Sequence, residues 1–184
     1  MRSVLLRTTL AASVVAVGAS VLVSNARADN VTYNFSIQRN GQTQCIGTWG
    51  GSLTNGTQLI PWSCNPSGQA KDQAWWFDTS DCLHTETYGD FCRIRNGVNN
   101  KCMGVYGGSQ NDGAYLVLWD CLGDSHGDQY WQLDGDGAGN NYIVNWSGWF
   151  ASIYQDCDPW PYGCEDPHIA LGYQTKWSSE LVTP

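Results

Sequence analysis

From Val31 onward the apolar residues come in short runs interrupted by Gly, Asn and Asp, and no stretch holds a helical period over several turns. That pattern predicts an all-β chain of short strands and tight turns. The runs Leu59-Ile60-Pro61-Trp62 and Leu116-Val117-Leu118-Trp119 are predicted core strands. Pro61 cannot donate to a ladder, so it marks a strand edge or a bulge. Upstream of each run stands a dipeptide that favours positive-φ turns, Asn55-Gly56 and Asp112-Gly113.

These runs belong to a repeat. Residues 44–77 and 101–133 align when Cys45 is placed on Cys102, which also brings Cys64 onto Cys121. Ile46-Gly47 then answers Met103-Gly104, and Gly50-Gly51-Ser52 answers Gly107-Gly108-Ser109. Both apolar runs end on a tryptophan two residues before a cysteine, Trp62 and Trp119. Both copies close on Gln-x-Trp, as Gln73-Ala74-Trp75 and Gln129-Tyr130-Trp131. Residues 35–41 likewise answer 91–97, and Tyr142-Ile143-Val144-Asn145 opens a fainter third copy with Phe150 at the first cysteine position. One such unit has too few strands to bury its own apolar face, so the copies must close a core together.

The pattern resembles the ricin B-type lectin repeat. The resemblance implies a β-trefoil, three units around a pseudo-threefold axis, here spanning about 31–77, 90–133 and 140–181. It implies that Gln73, Trp75, Gln129 and Trp131 are structural, with Gln174 and Trp177 as a displaced third pair. The matched spacing joins Cys45 to Cys64 and Cys102 to Cys121, leaving Cys82 with Cys92 and Cys157 with Cys164 as local loops. A zinc site is the rival use of cysteine, but there is no Cys-x-x-Cys pair.

Composition places the chain outside the cell. Arg2 and Arg7 precede an apolar segment rich in small residues, and Ala26-Arg27-Ala28 offers a cleavage signature, so residues 1–28 read as a secretory signal peptide and 29–184 as one mature domain. The segment falls short of the ~20 apolar residues that span a bilayer. All eight cysteines follow it, an even number that suits disulfides in an exported protein. The formal charge of −8 becomes more negative once Arg2, Arg7 and Arg27 leave. Nucleic acid and anionic membrane are therefore poor partners.

For function, the resemblance implies a shallow sugar pocket built from an acid just after the first cysteine, a stacking ring, and a polar residue before Gln-x-Trp. The rings fall on Trp62 and Trp119, and the polar residues on Asp72 and Asp128. The acid's place is taken by Gly47 and Gly104, and by Ser152 in the third unit. Asp112 or Asp120 is a candidate replacement. A second candidate surface is the third-unit loop, where Trp160 and Tyr162 stand among prolines and acids between Cys157 and Cys164. The three histidines lie in separate units and adjoin no nucleophile motif, so no enzyme, cofactor or metal is expected. The expectation is a secreted, non-catalytic module for a glycan or polysaccharide. The alternative is a secreted protein partner, met as a protease inhibitor or as the receptor-binding subunit of a toxin. Asn30, Asn34, Asn55 and Asn145 stand in glycosylation sequons.

Overall fold

The structure, a computed structural model, describes residues 32–65, 71–135, 140–155, 157–158, 163–164 and 166–181. The first unit holds β1 (Tyr33–Arg39), β2 (Gln42–Thr48), β3 (Thr57–Ser63) and β4 (Trp75–Thr85). The second holds β5 (Gly89–Asn96), β6 (Cys102–Val105), β7 (Leu116–Trp119) and β8 (Tyr130–Gly135). The third holds β9 (Asn140–Asn145), β10 (Phe150–Tyr154), a two-stranded ribbon of β11 (Cys157–Asp158) and β12 (Gly163–Cys164), then β13 (His168–Gly172) and β14 (Trp177–Leu181).

The outer strands of each unit make a closed ring. Antiparallel pairs β1–β4, β4–β5, β5–β8, β8–β9, β9–β14 and β14–β1 return to their start, which leaves no open edge in the barrel. The inner strands form three hairpins, β2–β3, β6–β7 and β10–β13, that cap it. The caps touch through the β3–β7 pairing and a bridge between Tyr115 and Ala170. This is a β-trefoil.

Its centre is threefold in chemistry as well as topology. Trp75, Trp131 and Trp177 are fully buried, and their indole N–H groups donate to the carbonyls of Ile46 (2.9 Å), Met103 (2.9 Å) and Ala151 (2.8 Å). A buried indole needs such a partner, because an unpaired N–H forfeits its bond to water. The three acceptors also place Phe150 at the position of Cys45 and Cys102. Leu59, Leu116 and Ile169 fill the same core from the cap hairpins.

Disulfides join Cys45 to Cys64, Cys82 to Cys92 and Cys102 to Cys121. Cys157 and Cys164 face each other as backbone partners in the β11–β12 ribbon. Their side chains, the segment 1–31 and the rings of Trp160 and Tyr162 lie outside the described residues. The sequon at Asn145 is sealed in the fold: this residue is 1% exposed and its amide donates to the carbonyls of Asp128 and Tyr130.

Candidate functional site: two matching clefts

On the cap hairpins, residues alternate between core and surface. Leu59 points into the core while Ile60 and Trp62 line a cleft; Leu116 and Leu118 point inward while Val117 and Trp119 line another. The register is the same in both, with Trp62 opposite Cys45 and Trp119 opposite Cys102. Trp62 is 63% exposed and Trp119 37%, so neither ring is part of the core. The first cleft has a volume of about 610 Å³ and the second about 410 Å³.

A second aromatic stands on the far wall of each cleft. The chain leaves β2 through a tight turn, Trp49–Gly51, and leaves β6 through Tyr106–Gly108. Gly50 (φ 61°) and Gly107 (φ 63°) adopt a left-handed conformation that β-carbons resist, and they turn the chain just after the ring. Trp49 and Tyr106 are thereby held out at the cleft rim, 52% and 60% exposed. Reading for the family's pocket overlooked them. The available signal was the shared aromatic-Gly-Gly-Ser in both copies.

The acid sits in each cleft too, but arrives from the other side. Asp72 accepts a hydrogen bond from the Thr48 N–H at 3.2 Å, and Asp128 accepts one from the Val105 N–H. A β-carbon at Gly47 would come within 2.9 Å of Asp72 Oδ2, and one at Gly104 within 2.9 Å of Gln129 Cγ and 3.5 Å of Asp128 Oδ2. The glycines are therefore the space that Asp72 and Gln129 need. Burial pushes the Asp128 carboxyl above the usual carboxylate range, against the pull of His126, whose Nδ1 lies 3.7 Å away.

The Gln-x-Trp glutamines hold the floor. Gln73 is 2% exposed, donates to the Ser63 carbonyl (3.0 Å) and accepts from the Asn65 N–H (2.9 Å). Gln129 makes the matching pair with Asp120 O (3.0 Å) and Leu122 N–H (2.8 Å), and takes a further bond from Arg93 at 2.6 Å. Arg93 is itself buried, paired with Asp81 at 2.9 Å and lying 4.2 Å over the Tyr130 ring. Burial and the Asp81 bond push the Tyr130 hydroxyl up to about 12.

The other candidates fall elsewhere. Asp112 does not line the second cleft. Its turn crosses to the third unit, where Gly113 N–H donates to Leu171 O (2.8 Å) and a β-carbon on Gly172 would lie 3.7 Å from Asp112 Oδ1. The equivalent turn of the first unit crosses to the second: Gly56 N–H donates to Leu118 O, and a β-carbon on Gly56 would lie 3.2 Å from the Trp119 ring. Asp120 is paired with Lys101 and accepts from Asn55 Nδ2 (2.7 Å); the Lys101 bond, then Asn55, holds its carboxyl below the usual range. In the third unit Gly172 stands opposite Phe150, where the others carry a tryptophan, and the Ser152 hydroxyl donates to the Tyr173 carbonyl. Gln174 is exposed, unlike Gln73 and Gln129.

A trefoil with an exposed tryptophan, a second exposed aromatic and a carboxylate in the cleft of two of its three units has the build of the lectin-like trefoils. The sequence model of the ricin-type β-trefoil lectin domain-like family matches residues 22–119, and the chain belongs to that family. Solved structures agree on the fold. A designed threefold-symmetric protein, ThreeFoil, is 17% identical with a TM-score of 0.56, the match covering 80% of this chain and 96% of that one. An earthworm lectin C-terminal domain mutant in complex with 6'-sialyllactose is 14% identical with a TM-score of 0.57, covering 82% and 98%. The exo-β-1,3-galactanase 1,3Gal43A of Clostridium thermocellum is 19% identical with a TM-score of 0.57, the match covering 83% of this chain but 30% of that enzyme. No curated protein matches the sequence.

Proposed function

We propose that the protein is a secreted, non-catalytic glycan-binding module that takes neutral sugar in the clefts of its first two units. The observation that carries this is the pairing, twice over, of an exposed tryptophan with a carboxylate fixed by a backbone N–H. A pyranose presents an apolar C–H face for Trp62 or Trp119 and a rim of hydroxyls for Asp72 or Asp128, which accept but cannot donate while ionised. An acidic glycan would meet these carboxylates and the negative charge of the whole chain, so neutral sugars fit best. The lectin neighbours in the fold support a glycan ligand in general; the earthworm domain's sialyllactose is an acidic sugar, so the preference for neutral sugars rests on this chain's own charge.

The test is a glycan array on protein lacking residues 1–28, followed by titration of the best ligand into Trp62→Ala and Trp119→Ala. Each variant is expected to lose one class of site, with a cost of about 1–2 kcal/mol in affinity at the altered cleft. Unchanged binding in both, with thermal unfolding intact, removes the clefts from the function.

A further inference from the structure

The first cleft adjoins a second hollow. Trp49 lines the cleft together with Trp62, and also lines a 360 Å³ groove with Tyr115, Asp166 and His168. Ile60 is shared by the two hollows, so they adjoin along one strand. The strand registers make Gln58, Tyr115 and His168 equivalent positions of the three units, which puts the groove where the three cap hairpins meet at the pseudo-threefold axis. Three exposed rings, Trp62 (63%), Trp49 (52%) and Tyr115 (41%), thus line one path from the rim of the first unit to the axis. At the inner end the buried His168 leaves Nε2 without a hydrogen-bond partner among the described residues, a polar atom for which water or a hydroxyl is the natural complement. The second cleft differs. Tyr106 and Val117 stand in it where Trp49 and Ile60 stand in the first, but neither lines the axial groove.

We propose that the first unit binds an internal stretch of a linear neutral polysaccharide, stacking successive sugars on Trp62, Trp49 and Tyr115, whereas the second cleft holds a single sugar. This rests on the lectin reading above and narrows its ligand to a polymer. A linear chain presents its C–H faces in succession, so rings set along an open groove gain contact with each added sugar until the groove is filled. A cleft that shares no lining residue with such a groove gains little from a longer chain. Asp72 near one end and Asp166 at the other make the path acidic, which disfavours uronate or sulfated chains.

The experiment is calorimetric titration of the mature protein with neutral gluco-, galacto- and xylo-oligosaccharides of one to six units. In at least one series affinity is expected to rise about tenfold from one unit to four, as a second and third ring are engaged. Tyr115→Ala is expected to flatten that rise while leaving monosaccharide affinity within about twofold, and Trp119→Ala to leave the rise intact. Because Tyr115 also packs on His168, the wild-type protein supplies an independent reading by NMR: Tyr115 ring signals should shift with the hexamer and stay still with the monosaccharide. Affinity that is flat with chain length, or Tyr115 signals indifferent to the hexamer, overturns the extended groove while sparing the lectin reading. Absence of binding by every oligosaccharide and on the glycan array overturns both.

Discussion

The first two units and the third share their buried half and differ in their exposed half. All three keep a tryptophan whose indole donates to the residue after the first cysteine position, because the core cannot close if one sector is missing. Only the first two keep a ring opposite that position; the third has Gly172, with Ser152 packed where a ligand or a ring would need room. Scaffold and cleft are thus separable within one repeat. A unit can lose its cleft without weakening the barrel, since the cleft residues lie on the outward side of the same strands.

The comparison can be broken most forcefully at the core. Trp177→Ala should destabilise the protein about as much as Trp131→Ala, by about 3–5 kcal/mol, although the third unit has Gly172 in place of the cleft tryptophan. Chemical unfolding of the two variants checks this, and a third-unit variant that costs little would show that this sector is not part of the cooperative core. Next in size is the disulfide that the third unit lacks at its Phe150 position. Replacing Cys102 and Cys121 together by Ala should cost on the order of 3 kcal/mol through the freed loop in the unfolded chain, and peptide mapping of the wild-type protein without reductant should show neither Cys45 nor Cys64 linked to Cys102 or Cys121. At the clefts, Gly47→Asp restores the family's acid in name only. The new side chain meets Asp72 within contact distance, so sugar affinity at the first cleft should fall and stability should drop by about 1–3 kcal/mol.

The smallest effect separates the clefts by pH. With Trp62→Ala leaving only the second cleft, sugar affinity should begin to fall on acidification while the pH is still above the ordinary carboxylate range, because Asp128 gains its proton early and ceases to be an ionised acceptor. Asp128→Asn should remove that step. The stability term has the opposite sign. A carboxyl whose folded pKa is raised favours the folded state when protonated, so its contribution is present below the unfolded value and is lost as pH rises through the raised one. Binding isotherms and unfolding curves between neutral and mildly acidic pH measure the two trends.

What the chain alone determined was whatever recurs along it. Short apolar runs, the two matched cysteine spacings and Gln-x-Trp were enough for a three-unit β-trefoil and for grouping Trp62 with Asp72 and Trp119 with Asp128, which line one cleft each, because each of these signals sits within one repeat. Tertiary structure decided what lies between repeats. Asp112 belongs to the same cap hairpin as Trp119, yet packing of the three caps hands its turn to the next unit, so it sits beside Gly172 instead. Gly47 read as a lost acid because an alignment compares positions and not volumes; in space it is the gap that Asp72 fills. Trp49 and Tyr106 look like any aromatic residues at a strand end until two left-handed glycines swing them to the rim. Local sequence sets which way a residue faces on its own strand, and only packing of the three units sets what it faces.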